Sequence, residues 1–361
     1  MNPILNPSLN PITSTSTSRT EPAADYDYDV IVIGGSYAGL SGALQLARAR
    51  RRLLVVDAGQ RRNRFAGNSH GFLTRDGQPA AAIAAEGRAQ LAAYPTVRFH
   101  DGMALDARPL EARPLVDRPG VARPGVARPY VARPDVARPL EARPDADGFI
   151  VTLDNGASVS AARLLLATGV RDELPPVPGL AERWGKSVFH CPYCHGYELD
   201  EGRIGVLANG PMSLHHAQML PHWGRVTLFT NDTCPLDAAQ QADLDGRGVK
   251  VEHTRVERID DAATVVLADG RRIVMDGLFT FGRLHMASPI AAQLGCALDD
   301  GPLGSLVRTD ETRQTTVPGV FAAGDAIRNA GNVAMAVADG SMAGVGVHRS
   351  LLFGIAPFSK T

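Results

Sequence analysis

Short apolar runs of strand length alternate with glycine-rich turns along most of the chain. Residues 28–33 form one such run and open directly into Gly34-Gly35-Ser36-Tyr37-Ala38-Gly39. A helix is expected from 40 to about 50, and a second apolar run at 53–56 ends on Asp57. Strand, glycine turn, helix, strand and acid, in that order, describe a dinucleotide-binding unit. There Gly34 and Gly39 belong to the phosphate-binding turn, the helix N-terminus offers unpaired N–H groups to a pyrophosphate, and Asp57 accepts hydrogen bonds from a ribose. The middle glycine of the motif is Ser36, which narrows the backbone's approach slightly.

Residues 61–80 are polar and glycine-punctuated and read as a loop passing over the bound cofactor. His70 in it reads as a solvated loop histidine, with the lining of a substrate pocket as the alternative. From 107 to 145 an Arg-Pro pair recurs every five residues, from Arg108-Pro109 to Arg143-Pro144. Proline at every fifth position forbids a long helix or a central strand, so this stretch reads as a low-complexity surface insertion. A hairpin is expected at 149–153 and 157–160 around Asp154-Asn155-Gly156. A separate buried strand at 163–167 runs into Thr168 and Gly169, and the proline-rich 174–179 marks a domain boundary.

Beyond it the first layout repeats: a strand at 204–207, a helix through about 223, a strand at 226–230. The fingerprint of this second unit is damaged. Ala208 replaces the first glycine, Pro211 follows Gly210, and the next strand ends in Thr230-Asn231-Asp232-Thr233 without the arginines that an NADPH 2′-phosphate normally meets. His215 and His216 read as exposed helix residues. Near the C-terminus a buried strand at 320–323 delivers Gly324 and Asp325 toward a helix beginning near Asn332 and Val333. The fold expected is α/β with two Rossmann-like, three-layer domains. The first is discontinuous, 26–175 and 284–361, and the second, 176–283, is inserted in it.

Composition narrows the field. The chain has 361 residues and a formal net charge of −1, so nothing points to nucleic acid or an anionic membrane. No apolar run approaches the roughly 20 residues of a membrane span. Residues 1–25 lack the basic start and apolar core of a signal peptide and read as a disordered lead-in. Four cysteines with one close pair suit a cytoplasmic redox enzyme.

That pair is Cys191 and Cys194, in His190-Cys191-Pro192-Tyr193-Cys194-His195-Gly196. Cysteines one helical turn apart can close a disulfide ring, and a helix N-terminus and a nearby imidazole both favour the thiolate. Covalent haem attachment, a zinc knuckle using His190 and His195, and a structural disulfide are the competing readings. In the redox reading the rest of the chain holds a flavin against the pair. Asp325 would bind its ribityl hydroxyls, and the helix N-terminus at Asn332 would face its carbonyl region.

Gly34 to Gly39, Ala167-Thr168-Gly169, Cys191 to Cys194 and Thr316 to Asp325 together resemble the low-molecular-weight thioredoxin reductase family. Cys-Pro-Tyr-Cys-His-Gly and the eroded second nucleotide site are similar to its FAD-dependent dithiol oxidases, which close disulfides in natural products of the gliotoxin, holomycin and romidepsin type. The family's reductases usually carry an acid after the second cysteine; here it is His195. The resemblance implies FAD as cofactor, a homodimer, a small-molecule dithiol as substrate and molecular oxygen as acceptor. Cys191 would be the sulfur attacked, Cys194 the one nearer the flavin, and His195 the base, titrating near neutrality. An NADPH-dependent disulfide reductase and a non-catalytic flavin redox sensor are the rival functions.

Overall fold

The computed structural model describes residues 26–110 and 148–359. The expected lead-in at 1–25 and the insertion beyond Leu110 lie outside the described residues. The first strand, β1 (Tyr28–Ile33), is followed by α1 (Tyr37–Arg48), β2 (Leu53–Asp57), α2 (Ala80–Ala92), β3 (Val97–Asp101) and β4 (Ala104–Pro109). Past the insertion come β5 (Phe149–Leu153), β6 (Ser158–Leu166) and β7 (Val170–Glu173). The middle of the chain holds β8 (Val188–Phe189), α3 (Pro192–His195), β9 (Arg203–Leu207), α4 (Ser213–Met219), β10 (Arg225–Phe229), α5 (Ala238–Gly246), β11 (Lys250–Glu252), β12 (Gly277–Phe279) and β13 (Arg283–Met286). It closes with β14 (Val320–Ala322) and the long helix α6 (Val333–Phe353).

The first sheet runs β3-β2-β1-β6-β5-β4, with β14 also on β6. Its parallel centre is buried on both faces. Val30, Val32 and Val55 pack with Leu40, Leu46, Ala343 and Val347 of α1 and α6, while Ile31, Ile33 and Leu54 pack with Phe149, Val151 and Ile290. A near-continuous β-branched run is what a strand covered on both sides requires. The two strands expected at 157–160 and 163–167 are one. The first half of β6 pairs antiparallel with β5, as Ala161 with Phe149, and the second half pairs parallel with β14, as Leu165 with Phe321. The chain runs through Ala161 and Ala162 without a break and changes partner there.

Two more expectations shift. The helix α1 starts at Tyr37 because Ser36 is already its extended N-cap residue. Ala107, Arg108 and Pro109, taken as the start of the insertion, are ladder residues of β4 facing β5.

A second, all-parallel sheet runs β8-β12-β9-β10-β11. Leu174-Pro175-Pro176 leads into it, and the antiparallel ribbon of β7 and β13 joins it to the first sheet, Val170 opposite Met286 and Glu173 opposite Arg283. The helix α4 that follows β9 has only seven residues. His216 on it is buried, stacked on Phe281 with ring centroids 3.8 Å apart, whereas His215 is exposed. Among the described residues no helix is long and apolar enough to cross a membrane.

Candidate active site

Phe189 ends β8 and His190 follows it. Cys191 is then the extended N-cap residue of α3, with Pro192 in the first turn, where proline's fixed φ is already helical. One turn returns Cys194 to Cys191, Cα atoms 5.2 Å apart, and the sulfurs are joined in a disulfide. The haem and zinc readings need these sulfurs for other bonds. The other two cysteines, Cys234 and Cys296, are buried single thiols whose pKa burial raises.

The disulfide stands at one end of a cleft with about 1220 Å³ of empty space, counting its open mouth. Cys194 and His195 line it and Cys191 does not, although both cysteines are half-buried. Thr168 and Gly169, just past β6, form another part of the wall, and Gly324, Asp325, Asn332 and Val333 a third. Ser36 lines the far end, while Gly34, Gly39 and Asp57 do not reach the surface of the cleft. The two glycines act on the turn instead. A Cβ on Gly34, whose φ is +108°, would stand 2.2 Å from the Ala167 carbonyl oxygen, and one on Gly39 1.7 Å from that of Gly34. Asp57 ends β2 beside Gly35 and accepts a hydrogen bond from the Gly59 N–H.

The walls suit an extended dinucleotide. Ser36 makes no side-chain bond to its helix, so the first-turn N–H groups of α1 are open toward an anion. Asn63 Oδ1 and Arg61 Nε, both on residues of the cleft, are buried without a protein partner. Buried polar atoms of this kind are normally satisfied, and the hydroxyls and phosphates of FAD offer what they lack. At the other helix, Asn332 accepts a hydrogen bond from the Met335 N–H, so one donor of the N-terminus expected to face the flavin is already taken.

The loop 61–80 contributes more than the sequence disclosed. Arg62 forms a bidentate pair with Asp172 of β7, at 2.6 and 2.8 Å, and reaches Asp325 at 3.2 Å. Asp325, expected to face only a ligand, therefore also holds an arginine. These partners are 110 and 263 residues away, beyond any local pattern. The sequence reading likewise passed over Phe189, which carries the ring of His195 at 4.3 Å, and Glu198, whose Oε1 is 3.0 Å from His70 Nδ1. His70 itself lines the cleft, the alternative of its two readings.

The imidazoles depart from expectation. Burial, and after it the proximity of His70, push the pKa of His195 down to about 4. Burial and the charge of Arg62 push His190 to about 3. Both are neutral at pH 7, so the near-neutral titration expected of His195 does not hold.

The chain matches the pyridine nucleotide-disulphide oxidoreductase family over residues 28–340. A thioredoxin reductase of Claviceps purpurea, tcpT, is 32% identical over 336 residues, which cover 88% of this chain and 92% of that protein. The crystal structure of an oxidoreductase from Agrobacterium tumefaciens is similar with a TM-score of 0.78 at 50% identity, covering 90% of this chain and 99% of the other. That of HlmI gives 0.76 at 33% identity, covering 90% and 92%. The chain belongs to the pyridine nucleotide-disulphide oxidoreductase family and is an FAD-dependent thiol–disulfide oxidoreductase.

Proposed function

We propose that this member of the pyridine nucleotide-disulphide oxidoreductases is a dithiol oxidase. It closes an intramolecular disulfide in a small-molecule dithiol, and molecular oxygen is the final acceptor. The observation that carries the reading is the orientation of the pair: Cys194 faces the cleft while Cys191 stays outside its lining. One substrate thiolate attacks the Cys191 sulfur, the Cys191–Cys194 bond breaks, and Cys194 leaves as a thiolate. The second substrate thiolate attacks the substrate sulfur of the mixed disulfide, and Cys191 leaves in turn. The dithiol has then lost two protons and two electrons, and the cysteine pair holds the electrons. FAD, when bound, supplies the two-electron acceptor that returns the pair to the disulfide, and oxygen carries the electrons off as hydrogen peroxide.

In this reading 26–175 and 284–361 are the FAD-binding domain and 176–283 is inserted in it. Ser36 and the α1 N-terminus take the pyrophosphate, with Gly34 and Gly39 shaping that turn, and Asp57 takes the adenosine ribose. Thr168, Gly169, Gly324, Asp325, Asn332 and Val333 lie toward the flavin end. The resemblance extends the proposal to a homodimer working in the cytoplasm.

A second reading, an NADPH-dependent disulfide reductase, is favoured by the family and by the intact parallel sheet of the middle region. Against it stand Ala208 and Pro211 in the nucleotide turn and Asp232, whose carboxylate would repel a 2′-phosphate. Purified enzyme should consume oxygen and form peroxide with dithiothreitol alone, at a rate NADPH does not raise. Anaerobic bleaching of the flavin by NADPH, with none by the dithiol, would overturn the oxidase.

A further inference from the structure

His70 has no part in the scheme above, yet it lines the cleft beside the cysteine segment and is paired with a residue that follows it. Its side chain is largely buried in the wall that also carries Cys194 and His195. Three titratable groups face it. Glu198, on the turn Tyr197–Leu199 just after the cysteine helix, has Oε1 3.0 Å from Nδ1. Asp76, on the same loop as His70 and exposed, is 3.9 Å away. The ring of His195 meets it edge-on, centroids 6.3 Å apart.

We propose that His70, held by Glu198, is the base that takes the proton from the incoming substrate thiol, with His195 an uncharged neighbour. The proposal deepens the dithiol-oxidase reading and rests on it. A carboxylate beside one ring nitrogen keeps the proton there, leaves the other nitrogen to accept, and stabilises the imidazolium that forms. His70 has that carboxylate. Among the described residues none pairs with His195, whose ring lies between Phe189 and His70. A proton added to His195 would be poorly solvated and would face the positive charge of a protonated His70, which agrees with its lowered pKa. In the step itself the substrate S–H proton passes to Nε2 of His70. The thiolate bonds to the Cys191 sulfur, and the electron pair of the broken disulfide stays on Cys194. The imidazolium gives its proton to solvent and is ready for the second thiol.

The pairing could also be a strut that holds the loop against the cysteine segment, and a pH profile separates the two roles. FAD-loaded protein is mixed anaerobically with dithiothreitol between pH 6 and 9.5. Flavin bleaching is followed, and the cysteine thiols released are counted by alkylation after acid quench. His70→Gln should retain FAD and slow both signals about 100-fold at pH 7, within the usual range for a general base. Its rate should climb with the dithiol's own ionisation and approach wild type by pH 9.5. Glu198→Gln should slow the rising limb of the profile by a smaller factor, and Glu198→Asp should restore part of that loss. His195→Asn should keep the limb. The base is overturned if His70→Gln follows the wild-type profile, if it slows equally at every pH, or if His195→Asn is the variant that loses the limb. Wild-type protein inert to dithiothreitol but reduced by NADPH would instead fell the oxidase reading, and the base with it.

Discussion

Three buried or partly buried imidazoles bind no proton at pH 7 and resist taking one as the solution is acidified. His190 is held at about 3, and His195 and His216 at about 4, each chiefly by burial. In the unfolded chain the same groups titrate near 6.5. Their folded values are depressed, so below pH 6.5 the unfolded chain takes up protons that the folded chain refuses. Stability is therefore complete above about pH 6.5 and is lost as pH falls toward 4, each imidazole contributing a slope of about 1.4 kcal/mol per pH unit in that window. Denaturant unfolding between pH 7 and 4.5 should show that decline. His216→Phe, which keeps a ring against Phe281, should flatten it by about one third. Unchanged steepness in that variant would mean that His216 is protonated in the folded protein or is not buried as described.

At the scale of elements, the decisive packing is helix on helix. Gly340 of α6 sits so close to α1 that a Cβ there would lie 2.0 Å from the Ala38 carbonyl oxygen. Ala38 belongs to the first turn of α1, beside the open N–H groups at the cleft. Gly340→Ala must push the helices apart, and the displaced end is the one assigned to the pyrophosphate. The variant should lose about 2–3 kcal/mol of stability, typical of overpacking, and purify with less FAD than wild type at equal protein; full flavin content would detach this contact from the site. The glycine turn, the strands around it and the cysteine pair were legible in the sequence because each is a local pattern, read over a few residues. The partners of Arg62, the burial of His216 and the Glu198–His70 pairing were not. Each depends on which distant segments the sheets bring together. His216 also sits on a helix of seven residues, too short for its apolar face to show a period. The fusion of two expected strands into β6 escaped for a related reason, since a strand can change neighbours midway without any sign in its own residues.

For the molecule as a whole, the question is whether the Arg-Pro segment belongs to the folding unit. The answer lies in the strands at its two ends. β4 and β5 are paired residue by residue from Asp106 opposite Thr152 to Pro109 opposite Phe149, and the Leu110 N–H donates to the Gly148 carbonyl at 2.9 Å. The chain thus leaves and re-enters the sheet at one point, as the two strands of a hairpin do, and only a short turn is needed to close it. Because the entropy of closing a loop grows with the logarithm of its length, removing more than thirty residues there changes that cost by only about 2–3 kcal/mol, in the stabilising direction. Replacing residues 111–147 with Asn-Gly should therefore give a protein that binds FAD fully, turns over dithiothreitol near the wild-type rate and melts no lower. The closed end of this hairpin is built from the β4–β5 edge, whereas the cleft draws its walls from the ends of β6, β8 and the turn before α6. A shortened protein that lost its flavin or its dithiol turnover would show that the segment reaches the cleft despite leaving the sheet at its far edge, and would make it part of the active site.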